Sequence, residues 1–339
     1  MRYLIAFITI FLSHTIFATT IGLYSNKLES QGNDERRRLQ IVGKERNHAP
    51  VAPNRLSIVA AENFYGQLAK EIGGNNINVS SIISNPNADP HLFAITSSTS
   101  KQIHNAQIII YNGANYDGWM DQILKSQQNL IVINVASLMQ LNKPNINPHI
   151  WYKPDTMPTL ALYLTNLFVH MDSQHAIQYK QNLAIFLAEN KQVQTKISAL
   201  KAKYAGVAVT ATEPVFNYMT DAIGLQMQGL DFQWKIMNDT EPSPKMLSGY
   251  LDLLNEHKVR LLFYNSQVTD GTTKNILAIA KKNNIPVVGI NETMPPNILV
   301  NAWLINQLNQ TEIALQMGIL EQIGAPMKQR VKPPINYRQ

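Results

Sequence analysis

Four residues of this sequence share one setting: His91, His149, Glu213 and Glu292 each open a loop or a helix, and three of them follow closely on a strand-like run. Glu213 stands one threonine beyond VAVTA and Glu292 one asparagine beyond PVVGI, while His91 follows NVSSII after a loop stiffened by Pro86 and Pro90. Two neutral imidazoles and two carboxylates balance the charge of a divalent ion and offer it borderline-hard donors. Singly, each histidine reads more readily as a surface or core-satisfied side chain, and each glutamate as a first-turn acid at a helix N-terminus. Only the four together point to a metal. His104, His170, His175 and His257 lie on helix-like stretches or at their ends and share no such setting. Glu62, in AAENFYG, either points into the same crevice behind the ligands or caps the following helix. Asn63, Tyr116, Trp119 and Asn265 are weaker candidates, the two aromatics reading first as packing.

Placing these residues together requires strands whose carboxyl ends face one crevice, where open α/β sheets bind ligands. The runs LSIVAA (56–61), NVSSII (78–83), AQIIIYNG (106–113), LIVINVA (130–136), VAVTA (207–211), LLFYN (261–265) and PVVGI (286–290) alternate with helix-like stretches. That pattern predicts parallel sheets covered on both faces. Between the two groups of strands, residues 172–204 contain neither Gly nor Pro and keep apolar groups such as Ile197, Leu200 and Tyr204 at helical spacing. Asp172 or Ser173 would start this helix and Gly206 stop it. The expected organisation is a signal peptide at 1–18, a flexible leader at 19–54, an N-terminal α/β lobe at 55–171, a linking helix at 172–205, a C-terminal α/β lobe at 206–323 and a disordered basic tail at 324–339. His91 and His149 then belong to one lobe, Glu213 and Glu292 to the other.

Composition narrows the class. At 45% hydrophobic and 15% charged, the 339 residues form a globular body too long for one ordinary core. The net charge of +6 collects partly at the ends, as Arg36, Arg37, Arg38, Lys44 and Arg46 and as Lys328, Arg330, Lys332 and Arg338, with no basic and aromatic interleaving in the body; nucleic acid is therefore not an expected partner. The opening MRYLIAFITIFLSHTIFATT has one early charge, a short apolar run and small residues around Ala18, the pattern of a secretory signal. With no later apolar run long enough to span a bilayer, no direct membrane insertion is expected once that signal is removed. The absence of cysteine excludes disulfides, thiolate ligands and a lipidated cysteine, and a periplasm is the compartment that fits.

The segments around these residues resemble the zinc- and manganese-binding receptors of ABC importers, the cluster A-I solute-binding proteins. The markers are NADPHLF around His91, AQIIIYNGANYDGWM at 106–120, NPHIWYKP around His149, EPSPKML at 241–247 and INETMP around Glu292, in order over about 56–320. The resemblance implies two pseudo-symmetric, doubly wound α/β lobes joined by one long helix. It implies a Zn2+ or Mn2+ ion in the cleft between them, on His91, His149, Glu213 and Glu292. The implied partners are an inner-membrane ABC permease and its ATPase, the implied state a monomer, and the implied role a receptor rather than an enzyme. Zinc receptors of this kind often carry histidine third and aspartate fourth, where this chain has Glu213 and Glu292. Many also carry a histidine-rich loop before the second histidine, whereas 137–147 has none. A carboxylate in third place looks more like the manganese receptors, although the Irving–Williams order favours zinc at almost any N/O site. Two other readings stand beside this one: a zinc metallohydrolase with the same ligands and an open position for water, and an adhesin or binding module for another solute.

Overall fold

Among the described residues, the seven apolar runs and one polar tripeptide form eight short parallel strands in two sheets. The structure is a computed structural model that describes residues 55–86, 93–141, 143–268 and 270–322. The expected signal, leader and tail lie outside the described residues, and so does His91.

The first sheet contains β1 (Leu56–Glu62), β2 (Ile77–Ile83), β3 (Ile108–Tyr111) and β4 (Ile131–Asn134) in the order β2-β1-β3-β4. Its register pairs Ile58 with Val79 and Ile108, and Ile108 with Ile131. Helices α1 (Asn63–Gly73), α2 (Ser97–His104) and α3 (Gly118–Leu124) connect the strands, and a short α4 (Val135–Leu138) follows them. The Thr96 hydroxyl caps α2 by accepting the Thr99 N–H. A 3-10 turn (Ile150–Tyr152) and α5 (Thr156–Met171) complete the lobe.

The second sheet repeats the plan. It contains β5 (Ala208–Ala211), β6 (Gln226–Gln228), β7 (Leu262–Asn265) and β8 (Val287–Ile290) in the order β6-β5-β7-β8, again all parallel. Its helices are α7 (Asn217–Ile223), α8 (Leu230–Met237), α9 (Pro244–Asn255), α10 (Gly271–Lys282) and α11 (Val300–Gln322). EPSPK opens α9 as the sequence suggests: Ser243 caps it by accepting the Met246 N–H, and Pro244 takes the first helical position. In each sheet the chain moves outward from the first strand on one side and then crosses to the other, so the first and third strands diverge at a switch point. Glu62 ends β1, Glu213 lies two residues beyond β5, and Asn265 ends β7.

The link is α6 (Ala176–Tyr204), 29 residues and about 43 Å long, entered through a 3-10 turn (Ser173–His175) and left at Gly206, whose φ of +84° suits a residue without Cβ. It packs against α1 and α5 on one side and α7 and α11 on the other. One buried apolar core runs without interruption from Ile58, Phe64 and Trp151 to Phe216, Phe263 and Trp303. Aromatic contacts carry it across the lobes, with ring centroids 5.8 Å apart for Phe64 and Trp303 and 4.9 Å for Tyr152 and Phe216.

Three elements go beyond the sequence reading. Helix α5 lies between α1 and α6 and is apolar around most of its circumference, which erases the one-sided period. Strand β6, the polar tripeptide QMQ at a sheet edge, is too short to show alternation, and α8 follows it directly.

Candidate metal centre

Glu213 and Glu292 leave the ends of β5 and β8, the strands on either side of β7, and Asn265 at the end of β7 lies between them. All three are buried. The Asn265 amide nitrogen donates to Glu213 Oε2 at 3.2 Å and to Glu292 Oε1 at 2.5 Å, so one neutral group holds two like-charged carboxylates side by side. Its orientation is fixed from behind, because Oδ1 accepts the Gln267 N–H at 3.1 Å and two carboxylates can only face the donor end of an amide. Gln267 fixes the Glu292 backbone: its side-chain oxygen accepts the N–H groups of Glu292 at 2.6 Å and Thr293 at 3.0 Å.

His149 comes from the other lobe, fully buried just before the 3-10 turn Ile150–Tyr152. Asn147 Oδ1 faces both its backbone N–H, at 3.0 Å, and its Nδ1, at 2.8 Å. An oxygen that accepts the first must also accept the second, which puts a ring proton on Nδ1 and leaves Nε2 facing away from Asn147. Nε2 lies 3.8 Å from Glu292 Oε2. The Asn147 amide donates to the Pro214 carbonyl at 2.7 Å, so the residue that sets the His149 tautomer also grips the backbone beside Glu213.

Further bonds close the cleft. Tyr116 donates to Glu292 Oε2 at 2.8 Å and Tyr152 to the Asn291 carbonyl at 2.6 Å. The Asn63 side chain donates to the Met294 carbonyl at 2.6 Å and accepts the Met294 N–H at 3.0 Å. Glu71 on α1 accepts the N–H of Val300, the first residue of α11, at 2.9 Å.

Glu62 is fully buried at the end of β1, where its charge and that of Glu292 both act on the Tyr116 hydroxyl. Burial holds its carboxyl well above the ordinary range, and the Asp117 charge and a hydrogen bond to Asp117 raise it further. Asp117 is also pushed up by burial, to about 6, against the opposing effects of the Glu62 hydrogen bond and the backbone N–H groups of Gly113 and Asn112. Asp117 accepts from Asn112 N–H at 2.6 Å and Gly113 N–H at 2.8 Å, so burial beside it favours the protonated form of Glu62.

Of the residues singled out from sequence, His149, Glu213 and Glu292 come together, with Asn265, Tyr116 and Asn63 around them. Trp119 instead packs at a tilt against Phe93, with ring centroids 4.6 Å apart, beside a separate apolar cluster of the first lobe. Among the described residues no three or more His, Cys, Asp or Glu side chains are grouped so that they could hold a metal ion; His149 and Glu292 approach to 3.8 Å and Glu213 is linked to Glu292 through Asn265. Sequence reasoning missed Asn147, Gln267 and Asp117. Asn147, two residues before a candidate histidine, is where a tautomer-setting partner could have been sought.

Two pseudo-symmetric lobes on a helical spine, with nitrogen and carboxylate donors facing each other across the cleft, define a metal-binding receptor of ABC import. The chain belongs to the family described as zinc-uptake complex component A, periplasmic, whose model matches residues 58–306. It is 23% identical over 243 residues to the manganese-binding lipoprotein MntA of Bacillus subtilis, covering 68% of this chain and 78% of that protein. It is 24% identical over 257 residues to the manganese ABC transporter substrate-binding lipoprotein PsaA of Streptococcus pneumoniae, covering 69% and 78%. Among solved structures, its fold is similar to the periplasmic zinc binding protein TroA of Treponema pallidum, with a TM-score of 0.66 at 13% identity over 76% of this chain and 98% of that one. A Mn-bound periplasmic metal binding protein of Candidatus Liberibacter asiaticus gives 0.60 at 18% identity over 75% and 97%.

Proposed function

We propose that the cleft captures one Zn2+ or Mn2+ ion on His149 and His91 from the first lobe and Glu213 and Glu292 from the second, and delivers it to an inner-membrane ABC permease served by its ATPase. The observation that carries this reading is the His149–Glu292 meeting: a buried imidazole, its Nδ1 held by Asn147, brings Nε2 within 3.8 Å of a carboxylate across the lobes. A cation between them relieves the cost of burying two carboxylates side by side. His91 enters on its place in NADPHLF, one strand-end loop away.

Four protein ligands close the coordination of the ion, so the site holds metal as cargo and the protein acts as a receptor without turnover. Residues 1–18 direct the chain to the periplasm, where it works as a monomer, and no helix among the described residues is long and apolar enough to cross a membrane. Thermal melting in chelator, Zn2+ and Mn2+ tests the reading. At a hundred times its Kd, a ligand that binds only the native state adds about 2.7 kcal/mol, which appears as a rise of several degrees. Identical melting with and without either metal would refute it.

A further inference from the structure

We infer that Asn63 is a positioning residue for the metal site: from the first lobe it holds the segment that carries Glu292, and so fixes where that carboxylate stands relative to His149. The inference rests on the proposed metal reading and deepens it. Residues 291–299 run from the end of β8 to the start of α11 and belong to the second lobe by sequence. Three successive backbone N–H groups here are taken by side-chain amide oxygens. Gln267 of the second lobe accepts those of Glu292 and Thr293, at 2.6 and 3.0 Å, and Asn63 of the first lobe accepts that of Met294, at 3.0 Å. Asn63 also donates to the Met294 carbonyl at 2.6 Å, so one amide pairs with both backbone groups of a residue in the other lobe.

Asn63 is the first residue of α1, where an asparagine can satisfy its amide on nearby backbone; both ends of this amide instead reach a residue 231 positions away. The segment is fastened to the first lobe on either side as well, by Tyr152 at the Asn291 carbonyl and by Glu71 at the Val300 N–H. It is a strap, and Asn63 grips it nearest Glu292. The Thr293 hydroxyl adds only a long bond, 3.4 Å, to the Asn85 carbonyl. Without the Asn63 amide, Gln267 fixes the Glu292 backbone to the second lobe alone, and the 3.8 Å approach of its carboxylate to His149 is no longer set from both sides.

The test uses the mature protein and Zn2+ alone. Release of Zn2+ from loaded protein into excess chelator, followed by stopped flow, should be about tenfold faster in Asn63→Ala than in the wild type, the scale of losing a residue that orients a ligand from behind. Glu71→Ala, which loosens the strap where it enters α11, should speed release about threefold, the scale of one hydrogen bond. Gly318→Ala is the control for a general loss of stability, because Gly318 lies beside Arg260, at the end of β7 away from Asn265. It should release Zn2+ at the wild-type rate. An unchanged rate in Asn63→Ala, or in Glu71→Ala should Asn63→Ala fail to fold, would overturn the inference. So would a Gly318→Ala rate that matches Asn63→Ala. A wild type that takes up no Zn2+ would remove the metal reading itself, an outcome distinct from a loaded wild type whose release rate Asn63→Ala leaves unchanged.

Discussion

Asn147 ties the two lobes together at one side chain, accepting from His149 and donating to the Pro214 carbonyl. Asn147→Ala releases the His149 ring, and affinity for Zn2+ in a chelator titration should fall 10- to 100-fold, the usual cost of losing a residue that orients a metal-bound histidine. At Glu62 the sign of the pH effect follows from burial. Its folded-state pKa is raised above the ordinary value of about 4.3, so the native protein holds that proton more tightly than the unfolded chain. The stabilising contribution is complete below the unfolded value and is lost as pH rises through the folded one. Glu62→Gln is neutral at every pH, so its melting temperature should decline less than the wild type's as pH rises above the ordinary carboxylate range; equal declines would contradict the raised Glu62 carboxyl. Glu213 and Glu292 were legible because each follows an apolar strand directly. Asn265 was legible only as a residue at a strand end, since nothing in LLFYN says that an amide must separate two carboxylates. Glu62 had two readings, and the structure places it at β1's end against Asp117, a partner 55 positions away that no local pattern could supply.

Helix α6 works as a spine because its buried residues, Tyr179, Phe186, Asn190, Val193, Ile197, Leu200 and Tyr204, recur at helical spacing and meet both lobes. Its polar contacts favour the second lobe: the Asn190 amide donates to Asn301 Oδ1 at 2.9 Å, and Lys196 and Lys203 both reach Glu312 on α11. Helix α11 in turn approaches the backbone before β7 so closely that a Cβ on Gly318 would lie 2.1 Å from the Arg260 carbonyl oxygen. Helix propensity alone makes Gly→Ala stabilising by about 1 kcal/mol. At Gly318 the overlap should win, and Gly318→Ala should cost about 1–3 kcal/mol in urea unfolding. A stabilised variant would show that α11 can move away. Strands and the spine were readable from period and punctuation; α5 was not, because a helix buried on most sides has no polar face to mark its period.

Across the molecule, the continuous core and the row of inter-lobe hydrogen bonds leave little freedom for the wide closure of receptors joined by flexible strands. Small-angle scattering should give the same radius of gyration in chelator and in excess Zn2+; a clear contraction on adding metal would mean that the lobes swing. The two-lobe plan was legible from two groups of strands on either side of a Gly- and Pro-free run. The core shared by both lobes was not, because the aromatic contacts between Phe64, Trp151, Tyr152, Phe216 and Trp303 join residues far apart in the chain. The central claim is that this cleft holds one metal ion between imidazole and carboxylate donors of opposite lobes. Metal analysis of stripped and reloaded protein tests it most directly. The account predicts one equivalent of Zn2+ or Mn2+ per wild-type chain, lost in both His149→Ala and Glu292→Ala while each variant remains folded. Full occupancy in those variants, or an empty wild type, would contradict it.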